Sequence, residues 1–386
     1  MIPYGRQSIS DADIEAVTEV LQSDWLTQGP LTPRFEQAVA DYCSATYGVA
    51  VSNATSGLHL ACLALGLGPE DLLWTSPITF VASANCGRYC GADVDFVDID
   101  PKTYNMSSDA LRVKLVAAER DGRLPKIVVV VHFSGQACGM EEIQALSKQY
   151  GFYLIEDAAH AIGGAYKNGH IGSCKYSDLT VFSFHPVKVM TTGEGGMVMT
   201  NRDELYQRLV ELRSHGISRD PARMRDAHNE GGWYYQQLEL GYNFRMTDIQ
   251  AALGLSQLQR LDEFVARRRS LARRYNDKLA GLPVVTPWQH SDACSAWHLY
   301  VIRLQPETAG MSRRQLYEQL WQSGIGVNVH YIPVHLQPYY RDLGFGLGDY
   351  PEAEHYYDEA LTLPLFPGMS ESDQDRVIGV LHEALQ

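Results

Sequence analysis

Residues 181–200 read VFSFHPVKVMTTGEGGMVMT: an apolar run, a lysine, a glycine-rich turn and a second apolar run. Short, near-continuous apolar runs are typical of strands that are covered on both faces of a sheet. The stretch therefore predicts two buried strands joined by a turn, with Lys188 just beyond the end of the first. Most lysines are solvated surface charges, so the function of Lys188 has to be inferred from what the rest of the chain brings to it.

Five similar runs precede this stretch, and helical patterns such as residues 140–151 lie between some of them. The predicted strands cover residues 47–53, 72–77, 93–100, 126–133, 152–160, 179–185 and 196–201. Strands that alternate with helices are typical of a mostly parallel sheet flanked by helices. The sequence thus predicts an α/β fold whose sheet is complete near residue 200.

Helical patterns at both ends of this region suggest the domain organisation. Residues 10–23 predict an amphipathic helix with Ser10 as its N-cap. Its apolar side comprises Ile14, Val17, Val20 and Leu21. A long helical pattern begins near Thr247, and the chain beyond it mixes strands and helices. We expect a large domain over residues 1–250 and a smaller α+β domain over residues 251–386.

The composition is that of an ordinary globular protein with an acidic balance. Of 386 residues, 45% are hydrophobic and 20% charged, and the net charge is −14. An acidic chain repels nucleic acid and anionic membranes, so we expect neither as a partner. The N-terminus does not resemble a signal peptide, and no apolar run is long enough to span a bilayer. The seven cysteines are scattered, and Cys86 and Cys90 have no second pair to complete a zinc spacing, which favours reduced thiols and a cytoplasmic location.

Candidate ligand-binding residues follow the predicted strands, because ligands collect at the carboxyl ends of strands in open α/β sheets. Ala54, Thr55 and Ser56 open a helix, where N–H groups and hydroxyls either bind a phosphate or simply cap the helix. The further candidates are Phe80, Asp157, His160, Ser183, His185 and Lys188. Taken singly, Phe80 also fits a core side chain, Asp157 a helix cap and His160 a buried core histidine.

Taken together, these residues meet the requirements of one cofactor, pyridoxal 5′-phosphate. The cofactor needs a lysine for a Schiff base, which matches Lys188, and a carboxylate that keeps its ring nitrogen protonated, which matches Asp157. Ala54, Thr55, Ser56 and Ser183 match the phosphate site, and Phe80 matches the flat side chain against the ring. Gly193, Gly195 and Gly196 match the glycines that let the backbone come close to the cofactor. To act as a base, Lys188 needs its pKa lowered from ~10.4 toward neutrality, and we expect burial and nearby positive charge to do this.

With these motifs, the chain resembles the DegT/DnrJ/StrS family of nucleotide-sugar aminotransferases over essentially its whole length. The motifs are residues 25–30 (WLTQGP), 155–163 (IEDAAHAIG), 182–198, 241–254 (GYNFRMTDIQAALG), 329–340 (VHYIPVHLQPYY) and 361–378. The resemblance implies the aspartate-aminotransferase fold, or fold type I of pyridoxal phosphate enzymes. Ala54 occupies a position at which the family usually has glycine, but alanine is also a small residue.

Within the family, several segments are most similar to members that act in pseudaminic acid biosynthesis. These segments are residues 2–9, 23–30, 76–85, 172–188 and 215–221. The similarity implies transfer of an amino group from L-glutamate to C4 of a UDP-linked 4-keto-6-deoxy-N-acetylhexose. A GDP-linked or dTDP-linked sugar and another ring carbon stay open as alternatives.

The resemblance also implies roles for individual residues. Lys188 is expected to bind the cofactor and carry protons, Asp157 to pair with the ring nitrogen, and Asn243 to reach the cofactor phosphate of a partner subunit in a homodimer. The other implied cofactor contacts are Ala54, Thr55, Ser56, Phe80, His160 and Ser183. The implied substrate contacts are Tyr4, Asp24, Trp25, Leu26, Thr27, Val329, His330, Tyr331 and Ile332.

The expected reaction has two halves that share one site, with pyridoxamine 5′-phosphate as the cofactor form between them, so the kinetics should be ping-pong. Arg6 or Arg245 is a candidate to neutralise the sugar diphosphate. His330 and His335 lack a carboxylate at a ligand spacing, so we expect no metal. Two competing classes are a sugar 3-dehydratase, which has histidine where this chain has Lys188, and a regulator that has lost the lysine or the ring carboxylate.

Overall fold

The computed structural model describes residues 1–225 and 231–386. Over these residues the α-helices are α1 Asp11–Leu21, α2 Leu31–Cys43, α3 Ala54–Ala64, α4 Ala82–Tyr89, α5 Ser108–Arg120, α6 Met140–Tyr150, α7 Asp203–Arg213, α8 Asp248–Leu258, α9 Leu261–Lys278, α10 Pro306–Ala309, α11 Arg313–Gln322, α12 Pro338–Arg341, α13 Pro351–Glu359 and α14 Glu371–Leu385. The strands are β1 Tyr47–Val51, β2 Leu72–Thr75, β3 Asp93–Phe96, β4 Ile127–Val131, β5 Tyr153–Asp157, β6 Ala165–Tyr166, β7 Gly169–His170, β8 Leu179–Ser183, β9 Gly196–Thr200, β10 Ile217–Ser218, β11 Gln236–Gln237, β12 Val284–Val285, β13 Ala293–Cys294, β14 Tyr300–Leu304 and β15 Ala360–Leu363.

The seven predicted strands form one sheet in the order β1-β9-β8-β5-β4-β2-β3, which confirms the predicted fold class. Strand β9 runs antiparallel to both neighbours, β1 and β8, and the other strands share one direction. The sequence did not indicate this reversal. It occurs because β8 returns to β9 through a loop without a helix, and a parallel crossover normally needs one.

Two hydrophobic cores cover the two faces of this sheet, which explains its continuous apolar runs. All residues of β4 are buried, with Val128 and Val130 in one core and Ile127 and Val129 in the other. Side chains alternate between faces along a strand, so a strand buried on both faces needs no polar positions. Within the described ranges, none of the helices combines the length and the apolar character required to cross a bilayer.

A third core holds the C-terminal part together. The antiparallel sheet β12-β14-β15 packs with α9, α11 and α14, and Ile2 from the N-terminus joins them. The long helical pattern from Thr247 is in fact two helices, α8 and α9, which break at Gln259 and Arg260. The predicted domain boundary at residue 250 falls inside α8, and α8 packs against α1 and α2 of the large part. The exact boundary between the two domains stays a prediction.

Helix α1 begins where predicted, but only part of the predicted apolar side is buried. Ser10 caps it and forms a capping box with Asp13. Of the four residues expected on its apolar side, Ile14 and Leu21 are 58% and 59% exposed, Val17 is half-buried and Val20 is buried. Asp13 is also buried, because its carboxylate accepts hydrogen bonds from α8 and the residues that follow it, including the Arg260 guanidinium. The buried face of α1 therefore contains the Asp13 carboxylate, which forms an ion pair with Arg260, beside the apolar side chain of Val20.

A pair of glycine substitutions tests this packing. A Cβ at Gly254 of α8 would lie 2.5 Å from the Phe35 ring of α2, whereas a Cβ at Gly379 of α14 would meet nothing within 4 Å. We expect Gly254→Ala to lower the free energy of unfolding by about 1–3 kcal/mol through overpacking. Gly379→Ala should raise it by about 0.5–1 kcal/mol, because alanine loses less backbone entropy in a helix. Chemical denaturation followed by circular dichroism measures both, and equal effects would contradict the close α2–α8 contact.

Candidate active site

A cleft of about 1130 Å³ opens where the parallel strands end. Of the predicted site residues, those that line it are Tyr4, Ala54, Thr55, Ser56, Phe80, Asp157, His160, Ser183, His185, Lys188, Val329, His330 and Tyr331. The carboxyl ends of parallel strands meet at one edge of the sheet, so residues far apart in sequence converge there. The cleft is wide enough for a ligand much larger than an amino acid.

The N-terminus of α3 forms one wall and is suited to an anion. Asn53, not Thr55 or Ser56, is the N-cap, since its side-chain oxygen accepts the Ser56 N–H at 2.8 Å and the Ser56 hydroxyl at 3.0 Å. The capping alternative therefore applies to Asn53 and leaves the first helical N–H groups and the Thr55 hydroxyl beside the cleft. A Cβ at Gly196 would lie 2.8 Å from the Ala54 nitrogen, so only glycine lets β9 approach this helix start.

Asp157 ends β5 and is held in place by two donors. Its Oδ2 accepts the Ser83 hydroxyl at 2.6 Å, and its Oδ1 accepts the Ala159 N–H at 3.1 Å. The side chain is 6% exposed and lines the cleft. No α-helix begins at this point, so the helix-cap alternative for Asp157 is wrong. The carboxylate instead closes a turn and presents its remaining lone pairs to the cleft.

Lys188 lies at the floor of the cleft in a turn in which its N–H donates to the His185 carbonyl at 2.9 Å. Burial lowers the pKa of Lys188 to about 8, while the Asp157 carboxylate acts in the opposite direction. The expected direction is correct, but the expected contribution of nearby positive charge is wrong, because burial alone lowers this pKa. A lysine so perturbed is typical of a catalytic amine.

His160 and Tyr331 form a hydrogen-bonded pair in the wall. The Ser134 N–H donates to His160 Nδ1 at 3.3 Å, and His160 Nε2 lies 3.2 Å from the Tyr331 hydroxyl. Because Nδ1 accepts, Nε2 carries the ring proton and donates to Tyr331. Burial, with Lys188 close by, lowers the pKa of His160 well below its usual value, so the imidazole is neutral. The Tyr331 hydroxyl is left free to donate into the cleft.

Phe80 lies at the mouth of the cleft, with its ring centroid 6.4 Å from that of Tyr331. It is 58% exposed, so its interpretation as a core side chain is wrong. A large exposed aromatic ring at a cleft is suited to stacking on a flat ligand.

The two histidines considered as metal ligands point to separate partners. His330 Nδ1 lies 2.8 Å from the Thr362 hydroxyl, and His335 Nε2 lies 3.0 Å from a Glu354 oxygen. Burial lowers the pKa of His330 to about 3, so it is a neutral hydrogen-bonding group in the cleft wall. Over the described ranges, no cluster of three or more His, Cys, Asp or Glu side chains is arranged to hold a metal.

Some predicted site residues do not line the cleft of this single chain: Asp24, Trp25, Leu26, Thr27, Asn243 and Ile332. The side chains of Asp24, Trp25, Leu26 and Thr27 are exposed, and so are those of Asn243 and Ile332. Asn243 lies between two residues that do line the cleft, Tyr242 and Phe244. The roles of these six residues stay predictions.

Several residues of the site had not been found in the sequence. Ser83 holds Asp157, Thr79 contacts Ser83, and Tyr242, Phe244 and His298 form part of the wall. Thr79 and Ser83 lie close to Phe80 in residues 78–85, so their proximity in sequence to a predicted site residue could have identified them as candidates. Tyr242, Phe244 and His298 come from distant segments, so no local pattern points to them.

These features fit pyridoxal 5′-phosphate. The amine of Lys188 and the carboxylate of Asp157 share the cleft floor, and the start of α3 with Ser183 offers donors to a phosphate. Gly196 keeps that start accessible, because any side chain would fill it. The fold and the site together define a pyridoxal phosphate-dependent enzyme of the aminotransferase fold.

Comparison with known proteins identifies the family. The DegT/DnrJ/EryC1/StrS aminotransferase family model matches residues 7–382, and the chain belongs to this family. The spore coat polysaccharide biosynthesis protein SpsC of Bacillus subtilis is 40% identical over 388 residues, which cover 100% of this chain and 97% of that protein. The chain is therefore a sugar aminotransferase that depends on pyridoxal phosphate.

Solved structures of similar proteins share the whole fold. Helicobacter pylori PseC, an aminotransferase involved in the biosynthesis of pseudaminic acid, superimposes with a TM-score of 0.90 at 28% identity, covering 100% of this chain and 99% of that chain. The putative sugar aminotransferase Spr1654 of Streptococcus pneumoniae, in its pyridoxamine phosphate form, gives a TM-score of 0.88 at 29% identity, with coverage of 100% and 99%.

The lowered pKa of Lys188 predicts its reactivity. In the cofactor-free protein an amine-acylating reagent should modify Lys188 with a half-maximal rate near pH 8, since only the neutral amine reacts. Lys167 is the matched control, because a hydrogen bond to Glu141 raises its pKa and shifts its reactivity to higher pH. Peptide mapping by mass spectrometry follows both lysines. Parallel pH profiles for the two would contradict the burial of the Lys188 amine.

Proposed function

We propose that this protein is a cytoplasmic homodimer that transfers an amino group from L-glutamate to C4 of a UDP-linked 4-keto-6-deoxy-N-acetylhexose. The observation that carries the proposal is that a buried lysine with a lowered pKa, Lys188, lines the same wide cleft as the Asp157 carboxylate. The product would be UDP-4-amino-4,6-dideoxy-N-acetyl-β-L-altrosamine, an intermediate of pseudaminic acid biosynthesis.

Lys188 has the properties of the group that moves protons in this reaction. With a pKa of about 8, its amine is neutral in an appreciable fraction of molecules near neutral pH and can take and return a proton. Bound pyridoxal phosphate supplies the electron sink that makes such a proton removable. Asp157 would hold the proton on the ring nitrogen, and Phe80 would cover the ring.

The walls of the cleft are suited to a polar sugar. Tyr331 donates from a hydroxyl oriented by His160, and His330 and Asn328 add further polar groups. Burial lowers the pKa values of His160 and His330, so these side chains recognise hydroxyl and carbonyl groups without adding charge. Hydrogen bonds from neutral groups discriminate between sugar hydroxyls by leaving unmatched partners unpaired.

The choice of sugar rests on similarity in sequence. Segments that include residues 23–30, 76–85 and 172–188 are most similar to family members that act in pseudaminic acid biosynthesis. PseC of Helicobacter pylori, whose structure superimposes along the whole chain, takes part in that pathway. SpsC of Bacillus subtilis is named for spore coat polysaccharide biosynthesis, which keeps other keto sugars as alternatives.

A homodimer would complete the site. A sugar diphosphate carries several negative charges, yet the described residues that line the cleft include no arginine. Arg245 comes directly after a segment in which Tyr242 and Phe244 line the cleft and Asn243 is exposed. Asn243 and Arg245 of one chain would reach the cleft of the other, and Arg6 is a second candidate to meet the diphosphate.

A panel of keto sugar nucleotides tests the reaction. With L-glutamate as donor, we expect the UDP-linked 4-keto-6-deoxy-N-acetylhexose to give an aminated product of the corresponding mass, at a rate at least ten times that of GDP-linked and dTDP-linked 4-keto sugars. Mass spectrometry identifies the product, and nuclear magnetic resonance assigns the aminated carbon. Preference for another nucleotide or another carbon would refute the proposed substrate and leave the aminotransferase class intact.

Subunit mixing tests the shared site. Lys188→Ala and Asn243→Ala should each be strongly impaired alone. If Asn243 acts across the interface, a mixture should regain activity, because each hybrid dimer then contains one site with neither lesion. A mixture of Lys188→Ala with Asp157→Asn is the control and should stay inactive, since both residues line the same cleft of one chain. Absence of recovery, with subunit exchange shown by mass spectrometry, would mean that one chain builds each site.

A further inference from the structure

The Asp157 carboxylate depends on a second polar residue that lies entirely inside the protein. Ser83, in the first turn of α4, is fully buried, and its hydroxyl lies 2.6 Å from Asp157 Oδ2. The same hydroxyl lies 2.7 Å from Thr79 Oγ1. Thr79 is 2% exposed and also contributes to the lining of the cleft. Three side chains thus form a short chain of hydrogen bonds that ends at Asp157.

The donor and acceptor capacities of the three side chains determine the direction of these hydrogen bonds. An ionised carboxylate can only accept hydrogen bonds, so the Ser83 hydroxyl must donate its one proton to Asp157. Ser83 then has only lone pairs left for Thr79, so Thr79 donates to Ser83. With Asp157 ionised, the hydrogen bonds therefore run from Thr79 to Ser83 to Asp157 and stabilise its negative charge.

Neighbouring hydrogen bonds reinforce this effect. The Ala159 N–H donates to the other oxygen of Asp157, so both carboxylate oxygens have a donor from the protein. Hydrogen bonds to a charged group are shorter and stronger than neutral ones, and a chain of them polarises each member. A proton shared between Asp157 and a ligand nitrogen would therefore stay on the nitrogen.

The segment that carries Thr79 and Ser83 also carries Phe80. This segment spans the turn before α4 and the first turn of α4, and it exposes the Phe80 ring at the mouth of the cleft while both hydroxyls are buried. A segment of five residues thus links the position of the aromatic ring to that of the Asp157 carboxylate. A shift of this segment would change both contacts to a flat ligand together.

We propose that Ser83, supported by Thr79, is a positioning residue for the cofactor ring: it keeps the Asp157 carboxylate ionised and directed at the ring nitrogen. The inference rests on the role of Asp157 in the proposed function. Ser83 itself need not touch the cofactor or the substrate. Without its hydroxyl, the negative charge on Asp157 loses one of its two protein donors, and the shared proton moves toward the carboxylate.

The test observes the ring nitrogen directly, in the resting holoenzyme loaded with ¹⁵N-labelled pyridoxal phosphate. The ¹⁵N chemical shift separates a protonated from a neutral ring, and Asp157→Asn provides the reference for a neutral one. We expect Ser83→Ala to retain the cofactor but move the ¹⁵N signal toward that reference. The rate of the glutamate half-reaction should fall about 10- to 100-fold, the effect expected for a lost hydrogen bond to a charged group.

Thr79 provides a milder variant and a rescue. Thr79→Val keeps the shape but removes the donor to Ser83, and it should move the ¹⁵N signal in the same direction by a smaller amount. Thr79→Ser keeps a hydroxyl and should restore the wild-type signal. These variants keep the test decisive if Ser83→Ala does not fold.

Thr75→Val is the matched control, because Thr75 is equally buried and its hydroxyl donates to the Val129 carbonyl, away from Asp157. It should lower stability without moving the ¹⁵N signal. An unchanged signal in Ser83→Ala and Thr79→Val, with a clear shift in Asp157→Asn, would overturn the role of Ser83 alone. An unchanged signal in Asp157→Asn would instead overturn the proposed role of Asp157.

Discussion

The pairing of β9 with two strands at once is the constraint on which the site depends. Gly196 is opposite Val51 of β1 on one side and opposite Ser183 of β8 on the other. These two pairings bring the loop before α3 next to the loop that carries Lys188. The absence of a side chain at Gly196 then allows the backbone of β9 to lie against Ala54. Without the antiparallel β9, the anion-binding helix start and the lysine would belong to separate parts of the sheet.

Burial, more than ion pairing, determines the pKa values of the basic side chains in the cleft. The protein carries a net charge of −14, yet Lys188 has a lowered pKa because it is surrounded by protein. Three of the histidines that line the cleft, His160, His298 and His330, also have lowered pKa values, chiefly through burial. A cleft with neutral bases and one buried carboxylate is suited to moving protons without a large cost of reorganising charge. Lys188 is the only lysine, and no arginine is present, among the described residues that line this cleft.

The candidate site was partly readable from the sequence because its main groups follow strands directly. Lys188, Asp157 and Phe80 each lie a few residues beyond an apolar run, and the carboxyl ends of parallel strands converge. Proximity to Phe80 could have drawn attention to Ser83, but not to its contact with Asp157, which spans 74 positions in the chain. The sequence reasoning also misjudged helix α1, because the periodicity of Ile14 and Leu21 says nothing about a buried carboxylate at Asp13.

The sequence by itself determined the seven strands of the main sheet, the helix caps such as Ser10, and the residue types of the cofactor site. These depend on local patterns, since apolar runs, capping side chains and glycine turns act over a few residues. Only the tertiary structure decided the direction of β9, the break between α8 and α9, and the partners of Asp157. Those features depend on which surfaces meet across long distances in the chain, where packing and the satisfaction of buried polar groups outweigh local preference.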